Sequence, residues 1–139
     1  MCTTMNTLRK LAKEFSGDRK TQVGAGVYFD DSATLKWGVN HLGCELDEEE
    51  IVNRTPLFYD SMIHAECDML NKLEESGEVE KVKGKTVYVT LFPCDNCARR
   101  LIAAGVKKVI AGDDRPTADY IIRAKELFDK YGVEYEVIK

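Results

Sequence analysis

Apolar side chains recur at helical spacing in the opening segment, at Met5, Leu8, Leu11, Ala12 and Phe15, and stop at Ser16-Gly17-Asp18. That pattern predicts an amphipathic helix closed by a turn. The period then shortens to that of strands. Val23 to Phe29 and Thr34 to Asn40 flank Asp30-Asp31-Ser32-Ala33, a short turn-rich connection that predicts an antiparallel hairpin. Residues 41 to 60 carry Gly43, an acidic run from Glu45 to Glu50 and Pro56 without clear periodicity. They read as a long solvated loop, and loops of that length in small domains are often functional. Beyond them, Ile63, Cys67, Leu70 and Leu73 make one apolar helical stripe that ends before Gly77, and Thr86 to Leu91 has the β-branched character of a buried strand, broken by Pro93. Cys97, Ala98, Leu101 and Ile102 predict another short helix closed by Gly105. A strand from Val106 to Ala111, a helix from Ala118 to Tyr131 and a strand from Val133 to Ile138 complete the series.

The predicted order is therefore αββαβαβαβ. Helices separate the last three strands, so those strands are free to run parallel, and the opening hairpin adds antiparallel neighbours. The expectation is an α/β fold: a five-stranded mixed sheet covered by helices on both faces.

Composition narrows the picture. A chain of 139 residues, 44% apolar, suits one domain over residues 1–139 with one core. Met1 to Lys10 lacks the apolar stretch of a signal peptide, and no uninterrupted apolar run is long enough to span a bilayer. A cytoplasmic protein with no membrane partner is expected. Five cysteines, an odd number, then point to reduced thiols rather than a disulfide framework. The formal charge of −4 and pI near 5.3 weigh against tight binding to a nucleic acid polymer, which is driven by Lys and Arg releasing counterions.

Two short segments carry chemistry: His64-Ala65-Glu66 and Pro93-Cys94-Asp95-Asn96-Cys97, each at the start of a predicted helix. Cys94 and Cys97 are neighbours on one helical face, and the dipole at a helix start favours the thiolate form that zinc requires. One imidazole and two thiolates suit a catalytic zinc with an open fourth position, since a structural site takes four protein ligands. Zinc lowers the pKa of a coordinated water to about 7. Glu66, outside the ligand set but next to it in sequence, is then placed to take that water's proton and hand protons to a substrate.

The two segments together form the H-x-E and P-C-x-x-C signature of zinc nucleobase deaminases. The resemblance runs further. Thr21-Gln22-Val23-Gly24-Ala25, the position of Asn40, and Tyr88-Val89-Thr90-Leu91-Phe92-Pro93-Cys94 followed by Cys97-Ala98 resemble the deoxycytidylate deaminase family, and with the element order the likeness covers nearly the whole chain. The resemblance implies a three-layer α/β/α cytidine deaminase-like fold and a Zn2+ held by His64, Cys94 and Cys97. It further implies a catalytic Glu66, a homo-oligomer, and hydrolytic deamination of a cytosine nucleotide, dCMP to dUMP. It assigns the Ala65 amide to the pyrimidine O2, Asn40 to the sugar, and carbonyl groups near Phe92 and Pro93 to the departing amine. The chain departs from the family at Asp68, where Asn is frequent, at His41-Leu42-Gly43, and at Phe15, where Arg is frequent.

Other readings stay open at this point. The substrate is alternatively dCTP, a 5-modified dCMP, deoxycytidine or a base in RNA. The pair Cys94 and Cys97 alone also fits a redox dithiol, and a structural zinc with His41 or Cys44 as fourth ligand is a further alternative. Cys2, Cys44 and Cys67 are expected to be inert. Arg115, just after a strand's C-terminal end, is the candidate phosphate contact, with Arg19, Lys20 and Arg54 as competitors. Trp37, Phe58 and Tyr120 are pocket or packing residues.

Overall fold

In the computed structural model, residues 3–30 and 33–138 are described. Helix α1 (Thr3–Phe15) leads to the antiparallel strands β1 (Gly24–Val27) and β2 (Lys36–Val39). Two of the four residues of the expected hairpin turn, Asp31 and Ser32, lie outside the described residues, as does Cys2. The chain continues through β3 (His41–Leu42), α2 (Glu48–Asn53), α3 (Pro56–Ser61), β4 (Met62–Ile63) and α4 (Ala65–Glu75). A short 3-10 turn (Val79–Val82) precedes β5 (Thr86–Val89), α5 (Asp95–Ala103), β6 (Lys108–Ala111), α6 (Asp119–Tyr131) and β7 (Glu134–Val137).

The five-stranded sheet has the order β2-β1-β5-β6-β7, with β1 antiparallel to both neighbours and β5, β6 and β7 parallel. Its mixed character is that expected from the helices between the last strands. Leu8 of α1 lies against Gly24 and Gly26 on one face. Ala25 and Val27 point the other way, into a core shared with Met69 of α4, Leu101 of α5 and Phe128 of α6. The molecule is thus helix, sheet, helix in three layers. No helix among the described residues is long and apolar enough to cross a membrane.

Residues 41 to 60 are not a loop. They hold β3, which pairs with β4 as a two-stranded ribbon, and the helices α2 and α3. Both helices are short, six residues each, so neither carries enough turns to show a period. Their signals are caps. Asp47 accepts a hydrogen bond from the Glu50 amide at the start of α2, and Thr55 does the same for Phe58 with Pro56 in the first turn of α3. The acidic run therefore opens a helix, where its charge opposes the positive end of the dipole. The helical stripe starting at Ile63 is corrected too, because Ile63 pairs with His41 in the ribbon and α4 buries Ala65, Glu66, Met69, Leu70 and Leu73 instead.

Helix α4 packs closely on β2. A Cβ at Gly38 would run into the Met69 amide and the Ala65 carbonyl. This close approach fixes the height of the α4 start above the sheet.

A candidate metal centre at two helix starts

His64 is the residue immediately before α4 and Cys94 the residue immediately before α5, and both helix starts lie beyond the C-terminal end of β5. Ligands of α/β sheets bind at such ends. Nδ1 of His64 is 3.1 Å from Sγ of Cys97 and 3.5 Å from Sγ of Cys94. One donor atom from each of the three residues lies within 4.8 Å of the others, and this is the one such group of His, Cys, Asp or Glu donors among the described residues. The donor set, one imidazole and two thiols clustered by geometry, fits zinc and leaves room for a ligand that is not protein.

The three donors are electrostatically linked through the Cys94 sulfur. Cys94 is lowered to about 4, first by hydrogen bonding from Cys97 and then by His64, which favours its thiolate form. His64 is raised to about 9 by its hydrogen bond with that thiolate. Cys97 is pushed upward, by hydrogen bonding with Cys67 and Cys94 and by burial. A bound cation opposes both upward shifts, because a ligating imidazole is neutral and a ligating thiol is deprotonated. Glu66, one residue into α4, is 3% exposed. Burial lifts its carboxyl to about 7, which places it where a proton carrier at neutral pH is most effective.

These groups open into a cavity of about 580 Å³, the size of a small-molecule site. His64, Ala65, Glu66 and Cys94 line it together with Asn40, Arg54, Phe92 and Arg115. Ala65 offers a first-turn amide, which has no acceptor within its own helix. Pro93 is buried and is not among the lining residues. Asn40 is buried and heavily engaged. Its Oδ1 accepts from the Val23 amide at 2.9 Å and from the Ser16 hydroxyl, and its Nδ2 donates to the Thr21 carbonyl at 2.7 Å. One Nδ2 hydrogen is left for a ligand.

The basic candidates separate clearly. Arg19 is exposed and forks onto Glu48 at 2.7 and 2.9 Å, away from the cavity. Lys20 is exposed and does not line it. Arg54 lines it but is bound through both terminal nitrogens to Asp18. Burial pushes the Asp18 carboxyl up, yet Arg54 and the Lys20 and Thr21 amides outweigh that effect and hold it below the usual range. Arg115 faces the cavity with Tyr120 Oη at 3.3 Å, and it makes no ion pair with a carboxylate among the described residues.

Among the remaining sequence candidates, Tyr120 lines the cavity whereas Phe58 and Trp37 do not. Trp37 stacks on Phe15 at 5.5 Å with Lys72 over its face. His41 is no ligand, since its Nε2 is 2.9 Å from Asp68 Oδ1. Cys44 is exposed and bonded to Ser61. Cys67 is half-buried rather than fully in the core, with its Sγ 4.0 Å from Cys97 Sγ, a contact that lowers its thiol to about 6. Asp18, Thr21 and Tyr59 are lining residues that sequence reasoning did not assign to the site. For Asp18 the available signal was its place in a turn followed by two backbone amides, the pattern of an Asx turn.

Comparisons with known proteins agree with this chemistry. The sequence model of the cytidine and deoxycytidylate deaminase zinc-binding region matches residues 2–113. The chain is 33% identical over 132 residues to the deoxycytidylate deaminases of Pongo abelii and Homo sapiens, covering 90% of this chain and 72% of each relative. Among solved structures, the dCMP deaminase of cyanophage S-TIM5 in complex with dCMP and dUMP superposes with a TM-score of 0.72 at 26% identity, over 97% of this chain and 93% of that one.

Proposed function

Because the chain belongs to the cytidine and deoxycytidylate deaminase family, with the cytidine deaminase-like α/β/α fold, we propose that it hydrolyses dCMP to dUMP and ammonia. The observation that carries the reading is the meeting of His64, Cys94 and Cys97 within 4.8 Å, beside the buried Glu66, in a nucleotide-sized cavity. Redox dithiol chemistry leaves both His64 and Glu66 without a task. A structural zinc wants a fourth ligand that neither His41 nor Cys44 supplies.

His64, Cys94 and Cys97 hold the zinc. Zinc, when bound, supplies a Lewis acid that makes water a nucleophile near neutral pH. The chain's own residues do the rest. Glu66 takes a proton from the attacking water and delivers protons to the ring N3 and to the amine as the C4–N bond breaks. The Ala65 amide holds the pyrimidine O2, and carbonyl groups near Phe92 and Pro93 receive the leaving ammonia. Asn40 gives its remaining amide hydrogen to the sugar. Arg115 takes the 5′-phosphate, as the cavity-lining guanidinium that no carboxylate neutralises among the described residues.

A small nucleotide rather than a polymer fits the net charge of −4. A homo-oligomer and a cytoplasmic location belong to the same reading, and light scattering on the purified protein tests the first. Incubation of zinc-loaded protein with dCMP tests the reaction itself, by loss of cytosine absorbance with stoichiometric release of ammonia. Inactive zinc-loaded protein refutes it.

A further inference from the structure

Arg54, at the end of α2, ties the segment holding α2 and α3 to the turn that carries Asp18. Arg54 ends α2 with φ 50° and ψ 55°, and it is the sole non-glycine residue of positive φ among those described. This left-handed position is usually filled by Gly or Asn, and an Arg kept there points to a demand on its side chain. The contacts show that demand. Nη1 and Nη2 donate to the two Asp18 oxygens at 2.7 and 3.0 Å, Nε donates to Tyr59 Oη at 3.0 Å, and the guanidinium sits 4.8 Å over the Phe58 ring. The pair is well shielded, with side-chain exposures of 17% for Arg54 and 5% for Asp18.

From Asp18 the bonds continue around the cavity. Its Oδ1 also accepts from the amides of Lys20 and Thr21, at 2.8 and 3.1 Å. The Thr21 carbonyl in turn accepts from Asn40 Nδ2, and the Ser16 hydroxyl bonds both the Asp18 amide and Asn40 Oδ1. A continuous set of hydrogen bonds thus runs from the charged pair through the turn to Asn40.

We propose that Arg54 is a positioning residue for the sugar end of the substrate. Acting through Asp18, it fixes the turn that aims Asn40, and it holds the α2–α3 segment as a wall of the cavity. It touches neither the metal ligands nor Glu66. The proposal rests on the reading of Asn40 as the sugar contact. Since Asp18 already satisfies its charge, Arg54 is not the phosphate site, which separates its role from that of Arg115.

The test is steady-state kinetics on the zinc-loaded full chain with two substrates, dCMP and deoxycytidine. Arg54→Ala is expected to raise KM about tenfold or more for both substrates by the same factor, with kcat within about threefold and zinc content unchanged. Arg54→Lys should rescue little, because an ammonium cannot bind a carboxylate through two parallel bonds. Asp18→Asn keeps an oxygen for the backbone amides while losing the charge pair. It should reproduce the KM effect, and the double variant should be no worse than either single one. The Asp18 variant carries the test if Arg54→Ala fails to fold. An unchanged KM, a loss confined to kcat, or a KM increase for dCMP alone overturns the proposal. Failure of the underlying reading is distinct, for then wild-type protein leaves both substrates intact, or Asn40→Ala leaves KM unchanged for both.

Discussion

Nδ1 of His64 lies 3.1 Å from Sγ of Cys97 although 33 residues separate them. Two helix starts, those of α4 and α5, bring them together at the C-terminal end of β5. The contact requires that both helices be held at fixed heights on one face of the sheet. Replacing Cys94 or Cys97 by Ala leaves two donors, and both variants should lose zinc and turnover together. Metal content by mass spectrometry or atomic absorption, measured beside activity, checks this.

Glu66 should separate metal from catalysis. Glu66→Gln is expected to retain zinc while kcat falls on the order of 10²- to 10⁴-fold or more, the loss typical of a missing acid-base group. Near-normal turnover in that variant removes Glu66 from the mechanism.

The same residue gives a pH-dependent stability. Its folded carboxyl is raised from 4.5 to about 7 by burial, so between these values the folded state keeps a proton that the unfolded state has lost. Stability therefore falls as pH rises through that window, by about 3 kcal/mol at its upper end. Metal-free Glu66→Gln should match metal-free wild type near pH 4 and exceed it by about that amount at pH 8. Urea unfolding of chelator-treated proteins at the two pH values measures the difference.

Gly38 supports the site from below. Because a Cβ there meets the backbone of Ala65 and Met69, Gly38→Ala must push α4 off β2 and carry His64 and Glu66 with it. A stability loss of about 1 to 3 kcal/mol is expected from such overpacking, together with weaker zinc retention. An equal Tm and unchanged zinc affinity contradict the close approach.

The parts of this molecule that were legible in sequence are those written in local signals. Val87 and Val89 within β5, the apolar face of α1 and the helix breaker Pro93 gave strand, helix and boundary, and the spacing of Cys94 and Cys97 gave their common face. The helices α2 and α3 show no period, because six residues hold too few turns, and only the caps Asp47 and Thr55 signal them. Pairings such as Arg54 with Asp18, 36 residues apart, and His41 with Asp68, 27 apart, have no local trace at all. Asp68 shows the cost of reading such a residue alone. Its carboxylate accepts from the Val39 amide, Lys72 and His41, so it ties the end of β2 to α4 where the family often places Asn.

Arg115 is the residue-level test of phosphate recognition. Arg115→Ala should lower kcat/KM for dCMP about ten- to a hundredfold, the worth of one charge-assisted contact, and leave the slower reaction of deoxycytidine nearly unchanged. Equal loss on both substrates assigns Arg115 to structure instead.

Whether the site serves a free cytosine nucleotide is decided by a comparison of substrates. Zinc-loaded wild-type protein is assayed at a single salt concentration on deoxycytidine, dCMP, dCTP, CMP and a cytosine-containing single strand, each scored as kcat/KM. dCMP is expected to be the best substrate, ahead of deoxycytidine by about tenfold or more, with the strand poorest because the chain's net charge of −4 repels it. Deoxycytidine equal to dCMP, or a strand turned over faster than either, contradicts that expectation.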